Sequence, residues 1–368
     1  MRIGIIGAGQ LGQMLGYAAL DLGHECFFLD PADKPPAAAV GPVIQAAFDD
    51  RVALAILAEK CDVLTYEFEN VPVAALADIA DLAPIYPPPE ALHHAQDRLA
   101  EKRLFQDLNI PLPGFRAIDS TRDLQEAIGA LGLPLVIKTR RFGYDGKGQF
   151  VMRDAEQFDA AWQALGGRAL IAEQWVEFDY EVSAIGVRNA KGDIANYCLT
   201  RNEHVDGILR ISRAPADDAA LTELATTHMR DLLEHLNYVG VLALEMFVVG
   251  HVLLANEFAP RVHNSGHWSI EGAATSQFTN HILAITGQAP RPTDNLGYTG
   301  MINLIGTIPD AARQLTACSL HDYGKTPRPG RKLGHITIVA GSAAARDRKL
   351  SKINEIVTKS SGQSGTGT

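Results

Sequence analysis

The sequence predicts a multidomain protein that combines the α/β and α+β classes, and three observations predict it. The 368-residue chain exceeds the roughly 100–200 residues of one ordinary domain. Its first part alternates short β-branched runs with helical patterns, the rhythm of a parallel sheet covered by helices. From Glu173 onward the pattern turns hairpin-rich, which calls for a larger mixed or antiparallel sheet.

In chain order, RIGIIG is a strand, Gln10–Leu22 a helix, HECFFLD a strand, Val43–Ala47 a strand, Asp49–Lys60 a helix and DVLTYEFE a strand. The proline run APIYPPPEA continues neither helix nor central strand, so a Rossmann-like parallel-sheet domain is placed at 1–94. HHAQDRLAEKRLFQDL reads as one helix and Thr121–Leu131 as another. The strand LVIKTRR then runs into the glycine-rich FGYDGKGQ, and together they make a small α+β domain at 95–175. The third domain, 176–358, holds the hairpins, a helix near Ala216–Leu236, the paired strands VLALEMFVV and HVLLANEFA, the strand KLGHITIVA and a helix at Ala343–Val357. The stretch 359–368, ending SSGQSGTGT, has the composition of a flexible tail.

Composition narrows the function. A hydrophobic share of 46% and a mean hydropathy of −0.01 fit an ordinary folded chain rather than a disordered one. The net charge of −10, with no long Lys/Arg run, disfavours a nucleic-acid coat. Cys26, Cys61, Cys198 and Cys318 form no CxxC pair, which leaves neither a zinc knuckle nor a disulfide framework. The longest apolar stretch, Tyr238 to Ala255, is interrupted by Glu245, Gly250 and His251, so no membrane span is expected. The amino terminus lacks the pattern of a secretion signal, and cytoplasmic residence follows as the expectation.

Several clusters carry chemistry. Gly7-Ala8-Gly9-Gln10-Leu11-Gly12 follows a strand and opens a helix, with Asp30 closing the next strand. That is the dinucleotide fingerprint, which also suits another phosphate at the helix amino terminus or tight packing alone. Lys138 on an apolar strand, followed by Gly143, Gly146 and Gly148 around Lys147, suggests a loop closing over a triphosphate. Glu173 ends an apolar strand, where an adenine-binding edge and a carboxylate accepting ribose hydroxyls are expected. Glu245 and Glu257 lie in two apolar strands joined at Gly250-His251, and a three-residue turn with period-two alternation puts them on one face. Two carboxylates projecting from an apolar sheet point to a divalent cation. Just downstream, Arg261, His263, Asn264, Ser265, His267 and Glu271 crowd one segment, with Arg261 and Asn264 the better candidates for an anionic ligand. Lys325, Arg328, Arg331 and Lys332 gather on a proline-rich turn, a candidate phosphate site.

Eight strings, GIIGAGQLGQML, TYEFENVP, QDRLAEKRLF, KTRRFGYDGKGQ, EQWVEFDYEVSAIG, NEHVDGILRIS, NEFAPRVHNSGHWSIEGAATSQF and HDYGKTPRPGRKLGHIT, run from Gly4 to Thr337. Together they resemble the ATP-grasp superfamily and, within it, the N5-carboxyaminoimidazole ribonucleotide synthetase family. The resemblance implies an ATP-grasp fold whose 95–175 domain is the lid. It implies a ligase that converts 5-aminoimidazole ribonucleotide, bicarbonate and ATP, with Mg²⁺, to N5-carboxyaminoimidazole ribonucleotide, ADP and phosphate in purine biosynthesis. Carried over by motif, Arg98, Lys138, Gly143, Tyr144, Asp145, Gly146, Lys147, Gly148, Gln149, Glu173, Gln174, Trp175, Val176, Glu181, His204, Asn256 and Glu257 hold ATP. Glu245 and Glu257 hold the metal, and Lys138, Arg261 and Asn264 are the catalytic set. The ribonucleotide meets Gln10, Leu11, Glu69, Tyr144, Asp145, Arg261, His263 and Asn264, and its phosphate meets Lys325, Arg331 and Lys332. A homodimer and onward transfer of the product to a mutase are further implications. Two positions depart from the family pattern: Phe142, where glycine or a small residue is usual, and Val262, where proline is. A formate-dependent glycinamide ribonucleotide enzyme, an NAD-dependent oxidoreductase and a regulatory nucleotide-binding protein are the competing readings.

Overall fold

The computed structural model describes residues 1–143 and 148–362. The amino-terminal unit is built from β1 (Arg2–Ile6), α1 (Gln10–Asp21), β2 (Glu25–Asp30), β3 (Val43–Gln45), α2 (Arg51–Lys60) and β4 (Val63–Tyr66). Its strands are parallel, in the order β3-β2-β1-β4, as the βαβ rhythm requires. Leu11, Leu15, Ala18 and Ala19 of α1 pack on one face of this sheet, and Leu54, Leu57 and Ala58 of α2 on the other. The first of these cores continues into Ile185, Trp268 and Phe278 of the largest sheet and its flanking helices, so the glycine turn after β1 opens directly against it.

A short α3 (Val73–Ala77) leads to α4 (Pro89–Ala95) and α5 (Arg98–Asp107). The expected single helix over HHAQDRLAEKRLFQDL is therefore two. The Asp97 side chain accepts hydrogen bonds from the amides of Leu99 (2.9 Å) and Ala100 (3.4 Å), which starts a new helix. Next come β5 (Phe115–Ile118), α6 (Thr121–Leu131), β6 (Leu135–Thr139), β7 (Gln149–Met152), α7 (Phe158–Leu165) and β8 (Leu170–Gln174). The strands form a four-stranded antiparallel sheet ordered β5-β8-β6-β7, with a separate apolar core beneath α6 and α7.

The largest sheet has nine strands. It contains β9 (Tyr180–Arg188), β10 (Ile194–Asn196), β11 (Thr200–Val205) and β12 (Ile208–Ala214). After α8 (Ala219–His235) follow β13 (Gly240–Val249) and β14 (Val252–Ala259), then α9 (Ser269–Gly272), α10 (Gln277–Ile285), β15 (Tyr298–Ile305), α11 (Asp310–Arg313), β16 (Ser319–Asp322) and β17 (Lys332–Ala340). The order is β14-β13-β9-β11-β12-β15-β17-β16, with β10 paired to β9. Leu104 and Phe105 of α5 share a core with α8, β13 and β14, and this core holds α5 against the β14 edge. The final helix α12 (Ala343–Gly362) extends beyond the expected Val357 and packs Leu350 and Ile353 on β15 and β17.

Candidate active site

The glycine turn is already supplied with anions by the protein itself. Gly7 has φ +102°, a conformation open to glycine, and the turn presents successive amides. The Ala8 amide donates to Asp30 Oδ2 (2.8 Å) and the Gly9 amide to Glu67 Oε1 (2.6 Å). Asp30, the acid of the dinucleotide fingerprint, is thus spent on the turn and on the Ala32 amide (2.8 Å). The side chain of Glu67 lies where a pyrophosphate would need to approach: a Cβ at Gly7 would sit 2.7 Å from Glu67 Cγ, and one at Gly9 2.8 Å from Glu67 Oε1. This geometry opposes the dinucleotide reading. Burial pushes the Glu67 carboxyl above the usual range, against the Gly9 hydrogen bond and the positive charges of Arg261 and Lys325.

Arg261 Nη2 meets Glu69 Oε1 at 2.7 Å, while its Nη1 donates to the Val262 carbonyl (2.9 Å). Val262 itself is fully buried, so an apolar side chain is accommodated there. His263 Nε2 stands 3.3 Å from Glu245 Oε1, its Nδ1 is 2.9 Å from Ser265 Oγ, and its backbone amide donates to Gln277 Oε1 (3.0 Å). Burial, then Arg261 and Lys332, hold His263 well below the ordinary histidine range, so the imidazole is neutral. Asn264 and Asn303 exchange reciprocal amide hydrogen bonds (3.0 and 2.7 Å). Arg261, His263, Glu69 and Glu245 therefore converge beside the glycine turn, with Leu11 buried at its base.

Glu245 and Glu257 stand directly opposite one another. The route differs from the expected three-residue turn. Val249 pairs with Val252 across two residues, and an irregularity between Glu245 and Met246 then shifts the ladder and brings Glu257 opposite Glu245. Burial, then the charge of Glu257, raises the Glu245 carboxyl above its ordinary range. A desolvated acid beside a second acid is an arrangement short of positive charge, which suits a divalent cation. Among the described residues no set of three His, Cys, Asp or Glu groups has metal-holding spacing. The carboxylate pair would supply two ligands, leaving phosphate oxygens and water for the rest.

On the other side of the pair, Arg98 Nη2 is 4.0 Å from Glu257 Oε2, and its guanidinium donates to the Thr139 (3.3 Å) and Gly143 (3.4 Å) carbonyls. Lys138 Nζ lies 3.0 Å from Glu173 Oε2 and Lys102 Nζ 3.5 Å from the same oxygen. Burial would raise the Glu173 carboxyl, but the two lysines outweigh it and hold it at about 2. Glu173 is thus a buried, doubly paired acid. β8 is not the edge strand expected there, because it lies between β5 and β6. The Gln174 and Trp175 amides donate to the Gly114 (2.8 Å) and Pro134 (3.2 Å) carbonyls, and Arg153 stacks over Trp175. Val176 follows, outside the strand. Glu181 Oε2 and His204 Nδ1 are 2.5 Å apart and line a groove of ≈ 760 Å³, within the range of small-ligand sites. Burial lowers His204, but the bond to Glu181 and the charge of Glu245 raise it overall.

Gln149 begins β7 opposite Lys138, and a Cβ at Gly148, which has φ +73°, would stand 2.8 Å from Thr139 Oγ1. Phe142 is exposed with φ +62°, a strained conformation for an aromatic residue and one that a glycine adopts freely. Tyr144, Asp145, Gly146 and Lys147 lie outside the described residues. Lys325 donates to the Gln10 carboxamide oxygen and sits over the Tyr323 ring. Burial, then the charge of Arg331, lowers its ammonium to about 8, with Lys332 and Arg328 acting the same way. Arg331 donates to the Thr326 carbonyl (3.1 Å) and Lys332 opens β17. A basic cluster whose members repel one another is primed for an anion. Glu67, Glu101 and Lys102 belong to this assembly too; they lie inside the TYEFENVP and QDRLAEKRLF strings, but the sequence by itself assigns none of them a role.

Comparison with known proteins gives this arrangement its family. The ribonucleotide synthetase preATP-grasp domain matches residues 1–96, the ATP-grasp domain 103–278, and the phosphoribosylaminoimidazole carboxylase C-terminal domain 299–349. The N5-carboxyaminoimidazole ribonucleotide synthase of Pseudomonas aeruginosa is 44% identical over 359 residues, 97% of this chain and 99% of that one. The crystal structure of N5-carboxyaminoimidazole ribonucleotide synthetase from Thermus thermophilus superposes with a TM-score of 0.93 at 47% identity, covering 96% of this chain and 98% of that one. The Aspergillus clavatus enzyme, crystallised with ADP and 5-aminoimidazole ribonucleotide, gives a TM-score of 0.90 at 29% identity, covering 97% and 98%. With three domain matches in order and relatives aligned along nearly their whole length, the chain belongs to the N5-carboxyaminoimidazole ribonucleotide synthase family of ATP-grasp ligases.

Proposed function

We propose that this chain carboxylates the exocyclic amine of 5-aminoimidazole ribonucleotide with bicarbonate and ATP, giving N5-carboxyaminoimidazole ribonucleotide, ADP and phosphate in purine biosynthesis. The observation that carries the reading is the position of the Glu245–Glu257 pair. On one side are Arg98 and the Lys138–Glu173 pair, and on the other Arg261, Glu69 and His263.

In this reading Lys138 and Arg98 bind the phosphates of ATP, with Glu181, His204, the Glu173–Val176 segment, Asn256 and the Gly143–Gln149 residues around the nucleotide. Glu245 and Glu257 hold Mg²⁺, which when bound neutralises phosphate charge. A bicarbonate oxygen attacks the γ-phosphorus and ADP leaves; the substrate amine then attacks the carboxyl carbon of the resulting carboxyphosphate and phosphate leaves. Arg261, fixed by Glu69, places a guanidinium where charge develops, and Asn264 is held by Asn303. Neutral His263 accepts or donates a hydrogen bond without adding charge. The ribonucleotide lies against Gln10, Leu11 and Glu69, its phosphate on Lys325, Arg331 and Lys332. A homodimer, cytoplasmic residence and transfer of the product to a mutase complete the proposal. Among the described residues, no helix is long and apolar enough to cross a membrane.

The test is ADP release with Mg²⁺ and bicarbonate, with and without 5-aminoimidazole ribonucleotide, and with glycinamide ribonucleotide plus formate as the control. Strong stimulation by the imidazole ribonucleotide alone is expected. Stimulation by the control pair, or by neither in folded protein, overturns the reading.

Lys325 adds a pH dependence. Its ammonium, lowered to about 8, is charged below that pH and loses its proton above it. Binding the substrate phosphate then requires proton uptake, so kcat/KM for the ribonucleotide should fall as pH rises above about 8, by up to about tenfold per unit. The descending limb should vanish in Lys325→Arg, whose guanidinium stays charged; a limb that persists unchanged assigns the titration elsewhere.

A further inference from the structure

Helix α5 meets β14 where the β13–β14 ladder is irregular. Met246 pairs with Ala255, and the next pair is Glu245 with Glu257, which makes Asn256 the extra residue of a bulge. Without it, Glu245 would face Asn256 and Glu257 would turn to the opposite side of the sheet. A bulge leaves backbone groups without ladder partners, and buried ones must find partners elsewhere.

Two consecutive side chains of α5 provide them. Lys102, 1% exposed, donates to the Asn256 carbonyl. Glu101, 3% exposed, accepts the Phe258 amide at 2.7 Å. The backbone is therefore gripped on both sides of Glu257. Lys102 also reaches Glu173 Oε2 (3.5 Å), the oxygen that holds Lys138 (3.0 Å). One buried ammonium thus joins the bulge of the large sheet to the lysine of the four-stranded one. Arg98, one turn earlier on α5, spans the same gap from Glu257 to the Gly143 carbonyl.

We propose that Glu101 and Lys102 are positioning residues for phosphoryl transfer: they lock the β14 bulge so that Glu257 stands opposite Glu245, and Lys102 fixes that pair's spacing from Lys138 through Glu173. The inference rests on the reading of Glu245 and Glu257 as metal ligands. A glutamine at 101 keeps a side-chain oxygen to accept the Phe258 amide, whereas a leucine cannot.

The experiment measures Mn²⁺ binding to the ADP-loaded protein by electron paramagnetic resonance, alongside the Mg²⁺ dependence of ADP release, in Lys102→Met, Glu101→Leu, Glu101→Gln and Glu257→Gln. Lys102→Met and Glu101→Leu should weaken Mn²⁺ binding about 10–100-fold and raise the half-saturating Mg²⁺ in step. The KM for the ribonucleotide should hold within about twofold in both, since neither residue lies among the proposed substrate contacts. Glu101→Gln should restore wild-type binding. If Glu257→Gln binds Mn²⁺ as wild type does, the metal reading itself fails. If Glu257→Gln loses the ion while folded Lys102→Met and Glu101→Leu keep wild-type affinity, the clamp is overturned and the metal reading stands. Should Lys102→Met not fold, the contrast between Glu101→Leu and Glu101→Gln decides.

Discussion

Glu257→Gln should reduce ribonucleotide-stimulated ADP release by about 10²–10³-fold or more while leaving the fold intact. The two halves of this expectation have separate causes. The Glu257 side chain is 52% exposed and its ion pair with Arg98 is long, at 4.0 Å, so removing its charge strips little from the folded state. The substitution also relieves repulsion with Glu245, whose raised carboxyl records that neighbour. Shape is preserved, and the backbone contacts of Asn256 and Phe258 with α5 do not depend on the residue between them. What is lost, on the proposed reading, is one of two anionic ligands for Mg²⁺, in a reaction whose catalysis is mostly placement and neutralisation of phosphate charge. Turnover and thermal melting measured on the same preparation separate the effects. Full activity sinks the metal assignment, and collapse of the melting transition would make the loss structural.

How far such sites can be read in advance depends on which physical signal each residue leaves in the sequence. The parallel sheet was legible because β-branched runs, a glycine turn and helical spacing recur in β1 to β4. Acids inside apolar strands announced Glu245 and Glu257, but their register was not legible: Asn256 carries no bulge signature, and only the ladder reveals it. Glu173 illustrates a tertiary decision. An apolar run ending in Glu-Gln looks like an edge, and the pairing order that buries β8 is set by distant strands. The β15 strand Tyr298–Ile305 is buried along both faces and shows no alternation to read. Glu101 and Lys102 resemble solvated charges, although 98, 101, 102 and 105 share one helix face that ends on buried Phe105. That spacing was the available clue.

The glycine motif makes the second large prediction, because its fingerprint and its use diverge. Gly7→Ala should destabilise the amino-terminal unit by about 3–5 kcal/mol. At φ +102° an alanine is strained by itself, by about 1–2 kcal/mol. Its methyl would also stand 2.7 Å from Glu67 Cγ and 2.9 Å from Oε1. That carboxyl has no easy retreat, since its Oε1 accepts the Gly9 amide at 2.6 Å and the side chain is half-buried. The comparison that isolates the cause is chemical denaturation of Gly7→Ala, Glu67→Ala and the double variant. If the glycine exists to admit the carboxylate, the double variant is more stable than the sum of the two single losses allows, by about 1–3 kcal/mol. Strict additivity would leave only backbone strain at Gly7. A coupled result means that the glycine is there to admit Glu67, and that this helix amino terminus is closed by the protein's own acid rather than left open for a phosphate.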